Sequence, residues 1–90
     1  MRDRRFDYRQ ALGETVHLEW VDAAGPLNAS GELRDISASG AQVRLGRPIR
    51  MKTLVEFKTE LRTLRGTVRY CTPSESGYLV GIRFEPGLIQ

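Results

Sequence analysis

The chain alternates apolar and polar residues in short stretches, and a turn signal closes almost every stretch. In ETVHLEWV, Val16, Leu18 and Trp20 fall on one face and His17 and Glu19 on the other. LNASGELRDIS puts Leu27, Ala29, Gly31 and Leu33 together, and AQVRL does the same with Ala41, Val43 and Leu45. LVEFKTELRTLRGTVRYC reads as two strands, with Val55 and Phe57 facing inward in the first and Leu64, Val68 and Tyr70 in the second. YLVGIRF closes the set with Tyr78, Val80, Ile82 and Phe84 on one face. A period of two is the repeat of a strand, whose successive side chains point to opposite sides. The separators DAAGPLN, SASG, GRPIRMKT and TPSESG carry the Gly, Pro, Asp and Ser that favour turns, and Pro48 has no N–H for a ladder.

Six short strands in 90 residues, with no helical periodicity, predict an all-β fold: a small six-stranded antiparallel barrel. Closing the sheet removes the exposed edges that a small β protein otherwise has to protect. The nearest thing to a helix, LRTLRG, is opposed by Gly66 and the β-branched residues after it. The length corresponds to one domain. The division predicted is a flexible Arg-rich N-terminal tail over residues 1–10 and a barrel over 11–90.

Composition narrows the chemistry. Cys71 and His17 are each the sole residue of their type. They assemble neither an internal disulfide, nor a zinc site of three or four ligands, nor a Cys-His or Ser-His-Asp catalytic set. Cys71 reads as a half-buried small hydrophobe within TVRYC. No run of about 18 apolar residues predicts a membrane span, and the charged start does not resemble a signal peptide. Cytoplasmic residence is the expectation, and the protein is expected not to be an enzyme.

The formal charge is +3, from 14 basic against 11 acidic residues, and 12 of the 14 are Arg. The guanidinium is a flat fork of donors that matches carboxylates, phosphates and guanine edges, and it stacks on rings. Four of these arginines crowd into RDRRFDYR, Arg2 to Arg9. The others read more blandly. Arg44, Arg47, Arg50 and Lys52 surround the Pro48 loop as a solvated face, and Arg62, Arg65 and Arg69 fall on the outside of a strand. Trp20 shares a face with Val16 and Leu18 and is expected in the core.

A second short stretch, DISASG from Asp35 to Gly40, lies between the second and third strands. As punctuation alone it is a capped turn with Gly40 at positive φ. Combined with the tail it means more. RRFDYR, DISASG, the strand start GAQV, then GTVRY and the closing GIRF together resemble the PilZ domain family, in its order and at its spacing over nearly the whole chain. That family's motifs are Arg-Arg-x-x-x-Arg and Asp/Asn-x-Ser-x-x-Gly. The resemblance implies a six-stranded barrel that binds the bacterial second messenger cyclic di-GMP on its outside, without a further cofactor. It implies that Arg5 and Arg9 contact guanine edges and phosphates, that Arg4 stacks or contacts phosphate, that Asp35 and Ser37 hold one guanine, and that Gly40 shapes the turn.

These residue types suit that ligand independently of the family. Guanine shows acceptors O6 and N7 on one edge, which Arg reads with two donors, and donors N1–H and N2–H₂ on another, which a carboxylate accepts. Adenine lacks the N2 amine. Gly40, with no Cβ, permits close approach. In a helix, Arg5 and Arg9 would place like charges together, so the tail is expected to be mobile when free and to order over the ligand, the binding energy offsetting the lost chain entropy.

Two features depart from the family pattern. Its members commonly carry a helix after the last strand, and EPGLIQ is too short for one, so self-association is a candidate cover for that barrel end. QALGET also gives the first strand a weakly apolar lead-in. The reading is a non-enzymatic cyclic di-GMP sensor whose output passes to a separate effector protein. The alternatives are a nucleic-acid-binding small barrel, opposed by the small net charge and scarcity of Lys, and a PilZ-like adaptor that binds no nucleotide.

Overall fold

The computed structural model describes residues 13–86. The predicted tail, with Arg4, Arg5 and Arg9, and the last four residues lie outside the described residues. Six strands follow one another: β1 (Thr15–Asp22), β2 (Gly25–Ile36), β3 (Gly40–Leu45), β4 (Leu54–Lys58), β5 (Thr63–Ser74) and β6 (Gly77–Phe84). All neighbours are antiparallel, and the sheet closes in the order β1-β2-β3-β6-β5-β4, with β4 returning to β1. No helix occurs among the described residues. The all-β closed barrel predicted from period-two alternation is the observed architecture.

The inward set is the apolar set. Val16, Leu18 and Trp20 of β1 are buried, as are Val43 and Leu45 of β3, Val55 and Phe57 of β4, and Val80, Ile82 and Phe84 of β6. Phe57 and Phe84 meet inside at a centroid distance of 5.4 Å, tilted by 57°, the inclined arrangement aromatic quadrupoles favour. Loop residue Ile49, only 3% exposed, joins this core from the β3–β4 connection. Arg47 of the same loop places its guanidinium carbon 5.9 Å from the Trp20 ring centre, a cation–π contact that covers one rim of the core.

Two turn assignments shift. Gly25-Pro26 and Thr72-Pro73 read as turn material, yet both prolines lie in strands, Pro26 opposite Val21 and Pro73 opposite Tyr78. The turns are the two-residue links Ala23–Ala24 and Glu75–Ser76, bounded by the pairs Asp22↔Gly25 and Ser74↔Gly77. In the first, the Asp22 carboxylate accepts a hydrogen bond from the Ala24 amide at 2.7 Å, closing an Asx turn.

The larger correction concerns Tyr70. Alternation from Leu64 and Val68 placed it inside, but it is 41% exposed. The β5–β6 register shifts between Val68, opposite Ile82, and Tyr70, opposite Gly81. Arg69 is the extra residue of this bulge. One inserted residue reverses the side on which everything after it points. Tyr70 is therefore turned outward and Cys71 is turned toward the core, against which it packs half-buried.

Candidate functional site

A second bulge lies in β2. Leu33 pairs with Val43, but Asp35, not Arg34, pairs with Gln42. Arg34 is the extra residue, and the shift leaves Asp35 on the outside and turns Ile36 toward the core. Gln42 in turn faces Gly81 across β3–β6, and Gly81 faces Tyr70 across β6–β5. The two bulges thus align Asp35, Gln42, Gly81 and Tyr70 in one row across four strands on the outer wall. Directly paired residues share a face, and Gln42 Nε2 donates to the Tyr70 hydroxyl at 2.9 Å.

Gly81 is what lets the row form. A Cβ there would overlap the Tyr70 ring, so the ring sits over the β6 backbone at this position while Tyr70 stays 41% exposed. Gly81 is buried although it belongs to the outer side.

Asp35 Oδ1 accepts a hydrogen bond from the Ile36 amide at 2.9 Å. This orients the carboxylate, and Oδ2 has no partner among the described residues. In the β2–β3 turn, the Ser37 amide donates to the Gly40 carbonyl at 2.8 Å, and Ser37 Oγ accepts from the Ser39 amide at 3.2 Å. The Ser37 and Ser39 hydroxyls also lie 3.2 Å apart. Gly40 differs from expectation. Positive φ occurs at Gly13, Gly25 and Gly77 but not at Gly40. Its missing Cβ instead makes room for the Ile82 carbonyl of β6, so this glycine seats the turn against the neighbouring strand.

Beyond the turn, Gly40 pairs with Arg83, and Arg83 with Thr67. Arg83, with Arg65 and Arg69 of β5, is exposed, and none of the three side chains has a hydrogen bond or ion pair among the described residues. Asp35 therefore shares its wall with three uncommitted guanidiniums. Arg44 is different, because it donates to Glu32 at 2.8 Å and to Ser76 at 2.9 Å. Its hydrogen bond holds the Glu32 carboxyl below the usual value of 4.5; desolvation works against this, and the charges of Arg44 and Arg34 reinforce it.

Asp35, Ser37 and Gly40 are brought to one corner of the wall, while Arg4, Arg5 and Arg9 lie outside the described residues. Sequence reading missed Gln42, Tyr70, Gly81 and Arg83. The signal available for them was the pairing order, which no single strand displays.

A closed β-barrel whose outer wall carries oriented polar groups, an exposed ring and spare cations has the make-up of a ligand-binding module. The particular family follows from the whole sequence: the PilZ domain family matches residues 3–89, nearly the full length, and the chain belongs to it. PilZ domains are known as cyclic di-GMP-binding domains and serve as binding or adaptor modules rather than typical enzymes. No curated protein and no solved structure matches the chain.

Proposed function

We propose that this chain is a cyclic di-GMP sensor whose ligand lies on the outer wall of β2, β3, β6 and β5. The observation that carries the reading is the row Asp35–Gln42–Gly81–Tyr70, which two independent bulges bring into line beside the Asp35–Gly40 turn. Asp35 accepts from the N1–H and N2–H₂ of one guanine, with Ser37 beside it. The Tyr70 ring offers a flat apolar surface to a purine. Arg83, Arg69 and Arg65 supply positive charge for the phosphates. Arg4, Arg5 and Arg9 close over the ligand from the N-terminal side, and the covered ligand forms a new surface that a separate effector protein reads in the bacterial cytoplasm. The mechanism is binding and presentation, with no bond made or broken.

Titration calorimetry with cyclic di-GMP, cyclic di-AMP and a short single-stranded oligonucleotide tests it. Saturable heat with cyclic di-GMP alone is expected. A preference for the oligonucleotide would make this a nucleic-acid barrel, and no heat with any of the three would make it an adaptor.

A further inference from the structure

Next to the proposed ligand row lies a cleft of about 290 Å³ lined by Arg34, Gln42, Arg44, Ser74, Glu75 and Leu79. Resting on the reading of the row as a cyclic di-GMP site, we propose that this cleft is a second subsite, which takes the other guanine of the same ligand.

Position makes this feasible. Gln42 belongs to both the row and the cleft. Arg44 and Leu79 are directly paired and stand two residues along their strands from Gln42 and Gly81, which is about 7 Å at the usual rise per residue. A ligand whose first base sits against Asp35 or Tyr70 reaches the cleft without leaving the wall. The bulge at Arg34 contributes to both places. It turns Asp35 toward the row and leaves Arg34 itself in the cleft, where its one ion pair among the described residues is a 3.6 Å approach to Glu32.

The chemistry selects a base over a phosphate. Arg34 and Arg44 are balanced by two carboxylates, Glu32 at 2.8 Å from Arg44 and Glu75 in the β5–β6 turn. A doubly charged anion gains little from such a neutral set, and Glu75 repels it. A neutral base with an acceptor edge and a donor edge fits both halves. Guanidinium N–H groups not used by Glu32 and Ser76 face O6 and N7, since each guanidinium carries five donors. Glu75, which has no partner among the described residues, accepts from N1–H and N2–H₂. Leu79 is half-buried between the arginine and the hairpin and provides an apolar floor for the ring. The Ser74 hydroxyl is buried without a hydrogen-bond partner among the described residues, an uncommon state for a buried polar group, and Ser74 lines the cleft.

Two measurements decide it. In calorimetry, Glu75→Gln and Arg34→Ala are each expected to weaken cyclic di-GMP binding by about tenfold, one charge-assisted hydrogen bond's worth. Glu75→Gln should also narrow the preference over cyclic di-AMP by a similar factor, a change that loss of a merely structural contact would not cause. Separately, amide shifts are followed as GMP alone is added. Saturable shifts at residues 74–79 are expected in the unmodified protein and not in Glu75→Gln. If Asp35→Ala abolishes cyclic di-GMP binding while Glu75→Gln and Arg34→Ala leave affinity and preference unchanged, the second subsite is wrong and the parent reading stands. If the unmodified protein binds no cyclic di-GMP, the parent reading fails, and the GMP shifts then judge the cleft alone. GMP shifts confined to Asp35, Gln42 and Tyr70, or no shifts, overturn the proposal.

Discussion

The barrel has two differently built outer walls. On β1 and β4 the charges answer one another: Lys58 lies 3.0 Å from Glu19 and 4.0 Å from Glu56, and His17 shares a 2.8 Å hydrogen bond with Ser30 of β2. On β3, β6 and β5 the arginines Arg65, Arg69 and Arg83 have no acidic partner among the described residues, and a tyrosine ring lies against a glycine. The first wall is a solvated surface whose one lysine is answered by two carboxylates. The second retains donors and a flat face that the fold itself does not use. Cations left unpaired on a solvated surface add little to the stability of the barrel, and they give this wall a positive potential.

The largest effect is expected where a glycine is held tightly on the second wall. At Gly40 a Cβ would strike the Ile82 carbonyl, and backbone against backbone has little room to yield. Gly40→Ala is expected to cost roughly 1–3 kcal/mol, the range for overpacking. For a domain of this size that lowers Tm by about 4–8 °C per kcal/mol. Gly46, where nothing lies within 4 Å of an added Cβ, is the control, and thermal melts of the two alanine variants should differ clearly. Equal melting temperatures would show that Gly40 does not seat the turn.

Binding comes next. Asp35→Ala is expected to weaken cyclic di-GMP by about tenfold or more, because it removes a charged acceptor. Tyr70→Ala should weaken it by a similar factor through lost stacking, about 1–3 kcal/mol per base, while Tyr70→Phe keeps most of the affinity because the ring remains. Glu19→Ala, on the paired wall, should leave calorimetric affinity unchanged. An equal loss from Glu19→Ala would mean that the walls do not differ in function.

How much of this was legible depended on scale. Strand identity was readable because Val16, Leu18 and Trp20, or Val80, Ile82 and Phe84, carry their own alternation. The Asp35–Gly40 motif was readable because it is contiguous. Tyr70 was misplaced because the alternation of β5 is reset at Arg69, and a bulge is decided jointly by β5 and its partner β6. Gln42 and Gly81 were silent for the same reason: a glutamine and a glycine in separate strands acquire meaning only when register sets them side by side. Gly40 was read both as a positive-φ turn residue and as a glycine whose missing Cβ permits close approach, and it is the first of these that fails. A turn residue suggests positive φ, whereas the constraint comes from a strand more than 40 residues away in sequence.

A smaller effect is expected on the paired wall. Lys58→Ala removes both contacts of Lys58 with Glu19 and Glu56. The groups are substantially solvated, with side-chain exposures of 35–49%, so the loss should be at most about 1 kcal/mol and should shrink further in high salt. Cyclic di-GMP affinity should not fall. A drop in affinity as large as that from Asp35→Ala would again erase the distinction between walls.

The subtlest test sits where the walls join, at Glu32. This carboxylate of β2 accepts from Arg44 and lies near Arg34, and its pKa is lowered from 4.5. A folded-state value below the unfolded one means that the native protein holds the charged form more strongly than the open chain does. The stabilisation is therefore fully present above about pH 4.5, and it fades as pH falls through the folded-state value. Carboxyl NMR of Glu32 should give a midpoint below 4.5, and Arg44→Ala should move it upward because the largest cause, the Arg44 hydrogen bond, is gone. A Glu32 that titrates at its ordinary value in the unmodified protein would mean that Arg44 is not held by this bond. Arg44 would then belong with Arg65, Arg69 and Arg83 among the uncommitted cations, and the boundary between the walls would move from β3 to β2.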